Sequence, residues 1–159
     1  MHDPGPRPDF TRPSGTRIYD YLQGGKDNFA PDRDAADRLE AMFPGAGKLA
    51  RQQLEFARRA ARWLYDEGVS QFIDAGCGLP SPPSVAQVAP CARVAYVDAD
   101  PVALAHLRAL AAGDGIAVAA GDAADPAGVL AARPCSGVAS VLEVLRDRGC
   151  VSPGVCAGV

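Results

Sequence analysis

The sequence predicts an α/β fold built on a parallel sheet, and three observations carry that reading. Val69, Phe72, Ile73 and Ala75 form a short apolar run that stops at Gly76-Cys77-Gly78 within Gln71–Pro80, QFIDAGCGLP. A buried parallel strand enters a tight glycine turn in this way. A second apolar run, Arg93–Val97, stops at Asp98, and only 13 residues, Leu79–Cys91, lie between the two runs. That is near the lower limit of about 10–12 residues for a crossover that includes its helix. Ile116–Ala120, IAVAA, is a third short strand, ending at Gly121-Asp122. A strand, a glycine turn, a helix and a strand closing on a carboxylate make half of a nucleotide-binding βαβ unit. Asp74, Asp98 and Asp122 recur at intervals of 24 residues at three successive strand ends, the edge where open α/β sheets bind ligands.

Composition narrows the classes. At 159 residues the chain is one domain or part of one. Apolar residues make up 48%, but many are alanine, so the core rests on a few Leu, Val and Phe positions. A net charge of −3 gives no general case for nucleic acid or a membrane surface as partner. No apolar run approaches the roughly 18 residues of a membrane span. MHDPGPRPDF at the start has no apolar stretch of the secretory kind. Five cysteines without a C-x-x-C pair, and two histidines, argue for a reducing, cytoplasmic compartment and against a metal site.

Taken in order, Met1–Pro13 reads as a disordered tail rich in Pro, Asp and Gly. Residues 14–45 read as a helical cap. Its first helix, Gly15–Gln23, is stopped by Gly24-Gly25. Its second, Pro31–Phe43, has Pro31 in the tolerated first turn and ends at Pro44-Gly45. Gly47–Glu67 is a longer helix, apolar at Leu49, Leu54, Ala57, Ala61 and Leu64, with Gly68 as its stop. Arg51, Arg58, Arg59 and Arg62 form its solvated face, Glu55 stands four residues before Arg59, and Trp63 and Tyr65 are expected to pack it on the sheet or cap. Cys77 reads as a small buried thiol. Pro101 opens a helix over Val102–Ala112 with Asp100 as N-cap, and His106 within it is a surface or packing residue. Asp125 caps Pro126–Ala132. Residues 46–135 thus form a half-domain, and 136–159 a divergent tail in which Gly137–Arg148 keeps helical spacing or represents a degraded fourth strand.

The residue types at the strand ends select the ligand class. Ser81 stands where a dinucleotide fingerprint needs its third glycine. A carboxylate at Asp74 repels a pyrophosphate and tolerates a cationic amino-acid ligand. Asp98 can accept two hydrogen bonds from a ribose diol. D-x-G-x-G followed by an acid 24 residues later resembles the first two cofactor motifs of class I methyltransferases. Tyr19–Arg33, Y-D-Y-L-x-G-G-K-D-N-F-x-x-D-R, resembles the opening signature of a family of S-adenosylmethionine-dependent methyltransferases that continue into an hhD-x-G-x-G-L-P turn.

That resemblance implies a partial class I methyltransferase (Rossmann-like) three-layer sandwich with an N-terminal helical cap over the cofactor cleft. It implies S-adenosylmethionine as cofactor, with Asp74, Gly76 and Gly78 near the methionine end, Asp98 on the ribose and Asp122 near adenine. Lys26 or Asn28 would contact ligand carboxylate or hydroxyls; alternatively Asn28 and Asp27 cap the next helix and Lys26 is solvated. The implied reaction is transfer of the sulfonium methyl group to an unknown acceptor, taken as a small molecule, and no catalytic base is named.

The resemblance fails after Pro126–Ala132. Only 37 residues follow Asp122, whereas the four further strands and three helices that the fold needs after its third strand take roughly 85–90. The crossover after Gly78-Leu79-Pro80 also lacks an Asn-x-His-Glu stretch. A C-terminally truncated fold leaves the first strand as an exposed apolar edge. Alternatives therefore stand beside the enzyme: a non-catalytic S-adenosylmethionine- or nucleotide-binding remnant, and a NAD-binding dehydrogenase fragment, against which Ser81 and Asp74 count. The acceptor and the oligomeric state are not readable from the sequence.

Overall fold

The computed structural model describes residues 8–110 and 115–132. Their centre is a three-stranded parallel sheet of β1 (Gln71–Ala75), β2 (Arg93–Asp98) and β3 (Ile116–Ala120), in the order β1-β2-β3. The register sets Asp74 beside Tyr96 and Asp98 beside Ala120. Six helices accompany it among the described residues: α1 (Gly15–Gln23), α2 (Ala30–Met42), α3 (Ala46–Asp66), α4 (Val85–Val88), α5 (Pro101–Leu110) and α6 (Pro126–Ala131).

Strand alternation divides the sheet into two apolar faces. Val94 and Tyr96 pack with Leu107 of α5, joined by Phe72, Val85, Ile116 and Val118. On the opposite face Ala95, Val97, Ala117 and Ala119 pack against Val129 of α6. Burying each such Val or Leu contributes about 1.5–3 kcal/mol. Among the described residues β1 is an edge strand, and Ile73 is 41% exposed while its register partner Ala95 is fully buried.

The cap is a separate cluster. Leu22, Ala36 and Ala50 join α1, α2 and α3, with Ile18, Tyr21 and Leu39 packed around them. Beside it lies a buried ion pair. Arg17 Nε donates to Asp32 Oδ2 at 2.9 Å, with Arg17 3% and Asp32 0% exposed. Asp32 also accepts from the Ser14 and Phe29 backbone N–H groups, each at 2.9 Å, the latter closing the first turn of α2. Arg17 Nη2 donates to the carbonyls of Asp9 and Arg12, so residues preceding α1 are held against it.

The details of α3 depart from the expected pattern. Its buried residues are Ala46, Gly47, Ala50 and Ala61, small side chains that let the cap helices approach closely. Leu49 and Leu64 are exposed, and Trp63 is 62% exposed rather than packed on the sheet or cap. Tyr65 is half-buried beneath the Arg62 guanidinium, 5.9 Å from its ring centre. Glu55 pairs with Arg58 at 2.5 Å, not with Arg59. Arg58 belongs to no solvated face: it donates to the carbonyls of Ser81, Pro82 and Pro83. Cys77 is free and Cys91 is disulfide-bonded, so cysteine number alone does not carry the compartment. No described helix is long and apolar enough to cross a membrane. Gly137–Arg148 lies outside the described residues.

Asp32 yields a pH prediction. Burial alone raises its pKa, but the Arg17 hydrogen bond and the Ser14 and Phe29 N–H groups outweigh it and hold the carboxyl below its ordinary value. The resulting stability is complete above the unfolded carboxyl's pKa of about 3.9 and is lost as pH falls through the lower folded value. Asp32→Ala is expected to cost about 3–5 kcal/mol at pH 7, because it strands a buried cation. Urea denaturation at pH 7 and pH 3 checks this, and the difference between wild type and variant should shrink at the acidic pH.

Candidate functional site

The carboxyl ends of all three strands open on one side of the sheet. Gly76 and Gly78 adopt φ values of 69° and 70°, which a side chain rarely tolerates. The Gly76 and Cys77 N–H groups donate to the Val97 carbonyl at 2.8 and 3.3 Å, folding the turn over the end of β2. Asp98, 5% exposed, accepts the Gly78 N–H on Oδ2 and the Asp100 N–H on Oδ1, each at 2.8 Å. Asp100 Oδ1 in turn accepts from Val102 N at 2.8 Å, as expected of the N-cap of α5.

A cavity of about 410 Å³ lies at these ends, bounded by Tyr19 and Asp20 of α1, the glycine turn, Asp98 and Asp122. The cap and the sheet therefore share one site. Of the residues singled out in the sequence, Gly76, Gly78, Asp98 and Asp122 meet there. Asp74 borders a second cavity of about 480 Å³ instead. Lys26 is exposed and neither it nor Asn28 borders either cavity. Asn28 Nδ2 donates to Asp20 Oδ2 at 2.8 Å and to the Gly25 carbonyl at 3.1 Å, and its Oδ1 accepts from Arg33. The Asp27 N–H also donates to Asp20 Oδ2, at 3.0 Å.

The polar cluster after the paired glycines thus acts through Asp20. A Cβ on Gly25 would stand 1.9 Å from Asp20 Oδ1, so glycine is required for that carboxylate to hold its place. Thr16 and Gln23 also border the first cavity and were not singled out. Their signal is helical spacing, since Thr16, Tyr19, Asp20 and Gln23 fall on one face of α1.

The electrostatics of the two cavities differ. Among the described residues no lysine or arginine borders the first, which carries Asp20, Asp98 and Asp122. Asp122 Oδ1 accepts from the Ala124 N–H at 2.8 Å. Asp74 is half-buried beside the turn, and burial, with the Asp98 charge added, pushes its pKa up. Burial pushes the Cys77 thiol up as well, reinforced by Asp74 and Asp98, so it stays protonated and unreactive. Its position agrees with a small buried thiol.

The family comparison decides what this arrangement is related to. The profile described as S-adenosyl methyltransferase matches residues 1–144. This chain belongs to that family. Among solved structures, a candidate methyltransferase from Thermobifida fusca is 43% identical with a TM-score of 0.72, over 77% of this chain and 48% of its own. A DUF574-family protein from Streptomyces avermitilis is 35% identical with a TM-score of 0.73, over 78% of this chain and 50% of its own. The chain spans about half the length of these solved relatives. No curated protein matches it. Family and neighbours agree with a partial class I methyltransferase fold, and S-adenosylmethionine is the cofactor that the family description implies.

Asp74 supplies a test of the site's electrostatics. A carboxyl whose folded pKa is raised costs stability above that value, and the cost disappears as pH falls through it. Asp74→Asn is therefore expected to raise Tm by a few degrees at pH 7.5, about 1 kcal/mol, and by less at pH 4. Thermal melts at the two pH values measure it; an unchanged or lower Tm at pH 7.5 contradicts the assignment.

Proposed function

We propose that the cavity under α1 binds S-adenosylmethionine and that the protein directs its methyl group to a small-molecule nucleophile. The observation that carries this reading is a strand-end cavity bounded, among the described residues, by three carboxylates and no cation. Such a lining suits a ligand with a positive sulfonium and repels a dinucleotide's phosphates, which counts against the dehydrogenase alternative.

The residues present fit the cofactor. Each Asp98 oxygen accepts one backbone N–H, and a carboxylate offers about four lone-pair sites, so one on each oxygen remains for the ribose hydroxyls. Gly76 and Gly78 let the backbone approach the ligand without a side chain between. Asp122 stands at the end of β3, where it accepts from the adenine amino group. Tyr19 and Asp20 of α1 border the cavity on the cap side, where they would shield a bound ligand from part of the solvent.

When bound, the cofactor supplies a methyl group already activated on sulfur. The chain's part is then positioning and desolvation, which need no triad.

Isothermal titration with S-adenosylmethionine and S-adenosylhomocysteine tests the proposal. Saturable binding is expected, weakened at least about tenfold by Asp98→Ala, with the variant's fold checked by circular dichroism. Absence of heat from folded wild-type protein, or tighter binding of NAD, contradicts it. Transfer of labelled methyl groups to a small-molecule extract separates the enzyme from the binding remnant.

A further inference from the structure

Helix α3 carries an apolar stripe that the cofactor site does not use. Leu49, Phe56 and Trp63 stand seven residues apart, so they fall within about 40° of one another around the helix. They span about 21 Å along it. Met42 and Phe43 come just before α3, and all five side chains are 45–77% exposed. The side of α3 that packs is another, carrying Gly47, Ala50 and Ala61.

The size of the stripe is that of an interface. At about 200 Å² for a large side chain, the exposed parts of these five come to roughly 600 Å². That matches the upper end of the largest apolar patch on an ordinary monomer, about 300–600 Å². It is about three-quarters of the roughly 800 Å² that each partner contributes to a stable interface. Phe, Trp and Met are also among the residue types enriched at such contacts.

The charges beside the stripe point to what covers it. Along one flank run Lys48, Glu55, Arg59 and Asp66, all exposed, in the sign order plus, minus, plus, minus. Reversed, that order becomes its own complement. Two copies of α3 packed antiparallel about Phe56 set Leu49 against the partner's Trp63. The same packing sets Lys48 beside the partner's Asp66 and Glu55 beside the partner's Arg59, each pair within about 3 Å of the same level. A parallel pair sets each charge against its like. Glu55 and Asp66 already hold Arg58 and Arg62 of their own helix, but a carboxylate accepts more than one donor. Among the described residues Lys48 and Arg59 have no ion pair, so the cations that the arrangement needs are those left over. The other flank, with Gln53, Ala60 and Leu64, is uncharged.

We propose that α3 is a self-association surface, and that the chain pairs with a second copy of itself through an antiparallel α3–α3 contact centred on Phe56. The stripe and its charged flank border neither cavity, so the proposal does not depend on S-adenosylmethionine.

Sedimentation velocity of the full chain from about 1 to 100 μM tests it. The mass is expected to rise to twice that of one chain. The emission of Trp63, the only tryptophan, should shift to the blue over the same range. Phe56→Asp, at an exposed position, should hold the protein as a monomer with unshifted emission and an intact melt. Two charge variants test the orientation. Lys48→Glu with Arg59→Glu makes the flank wholly negative, and Glu55→Lys with Asp66→Lys makes it wholly positive. Each should weaken self-association at least about tenfold, and an equimolar mixture of the two should restore it. A chain that stays monomeric at the highest concentration overturns the proposal and leaves the stripe to a different polypeptide. A dimer that survives Phe56→Asp, or that leaves Trp63 emission unshifted, overturns it by placing the contact elsewhere. Charge variants that each self-associate as tightly as the wild type overturn the antiparallel contact.

Discussion

The buried pair of Arg17 and Asp32 is the constraint on which the site depends. Both side chains are almost wholly out of water, and a charge in that position is tolerated only when its partners are complete. Asp32 has the guanidinium and two backbone N–H groups. Arg17 has Asp32, two carbonyls, and the rings of Phe10 and Phe29 at 5.9 and 5.6 Å. The pair also reaches the sheet, since Arg17 Nη1 lies 3.8 Å from Asp100 and the Ser14 hydroxyl donates to the same carboxylate. Asp100 begins α5 and donates its own N–H to Asp98. One electrostatic junction thus sets the cap helix over the strand ends, and the cavity between them follows from it.

Asp74 and Asp98 show how environment separates two identical residue types at neighbouring strand ends. The glycine turn folds over β2, so its N–H groups serve Asp98 and the Val97 carbonyl. Asp74 lies on the side that the turn leaves, where the shortened crossover supplies neither a donor nor a covering helix. The first carboxylate is held by backbone N–H groups; the second, among the described residues, accepts no side-chain hydrogen bond. Burial, with the Asp98 charge added, raises the cost of charging Asp74.

The sheet was legible because its signals are local. Apolar runs ended by glycine or aspartate place β1, β2 and β3 within a residue or two, and Ile116–Ala120 coincides with its strand. The helix Gly15–Gln23 was equally plain from Gly24, whose φ of 92° ends it. The packing of α3 was not legible, because Leu49, Leu64 and Trp63 keep helical spacing yet face outward while alanines and Gly47 face the cap. Hydrophobic periodicity does not distinguish a face buried by large side chains from one that selects small ones. Arg58 and Asn28 escaped for a related reason: their partners, Ser81–Pro83 and Asp20, are set by tertiary folding rather than spacing.

The central claim is that α1 and the strand ends form a single cofactor site. Hydrogen–deuterium exchange of the chain with and without S-adenosylhomocysteine tests it most directly. The account predicts that the ligand slows exchange together in residues 15–23 of the cap, in the turn at 76–78 and in the segment at 121–123. Protection confined to the strand ends, with the cap unchanged, would contradict it.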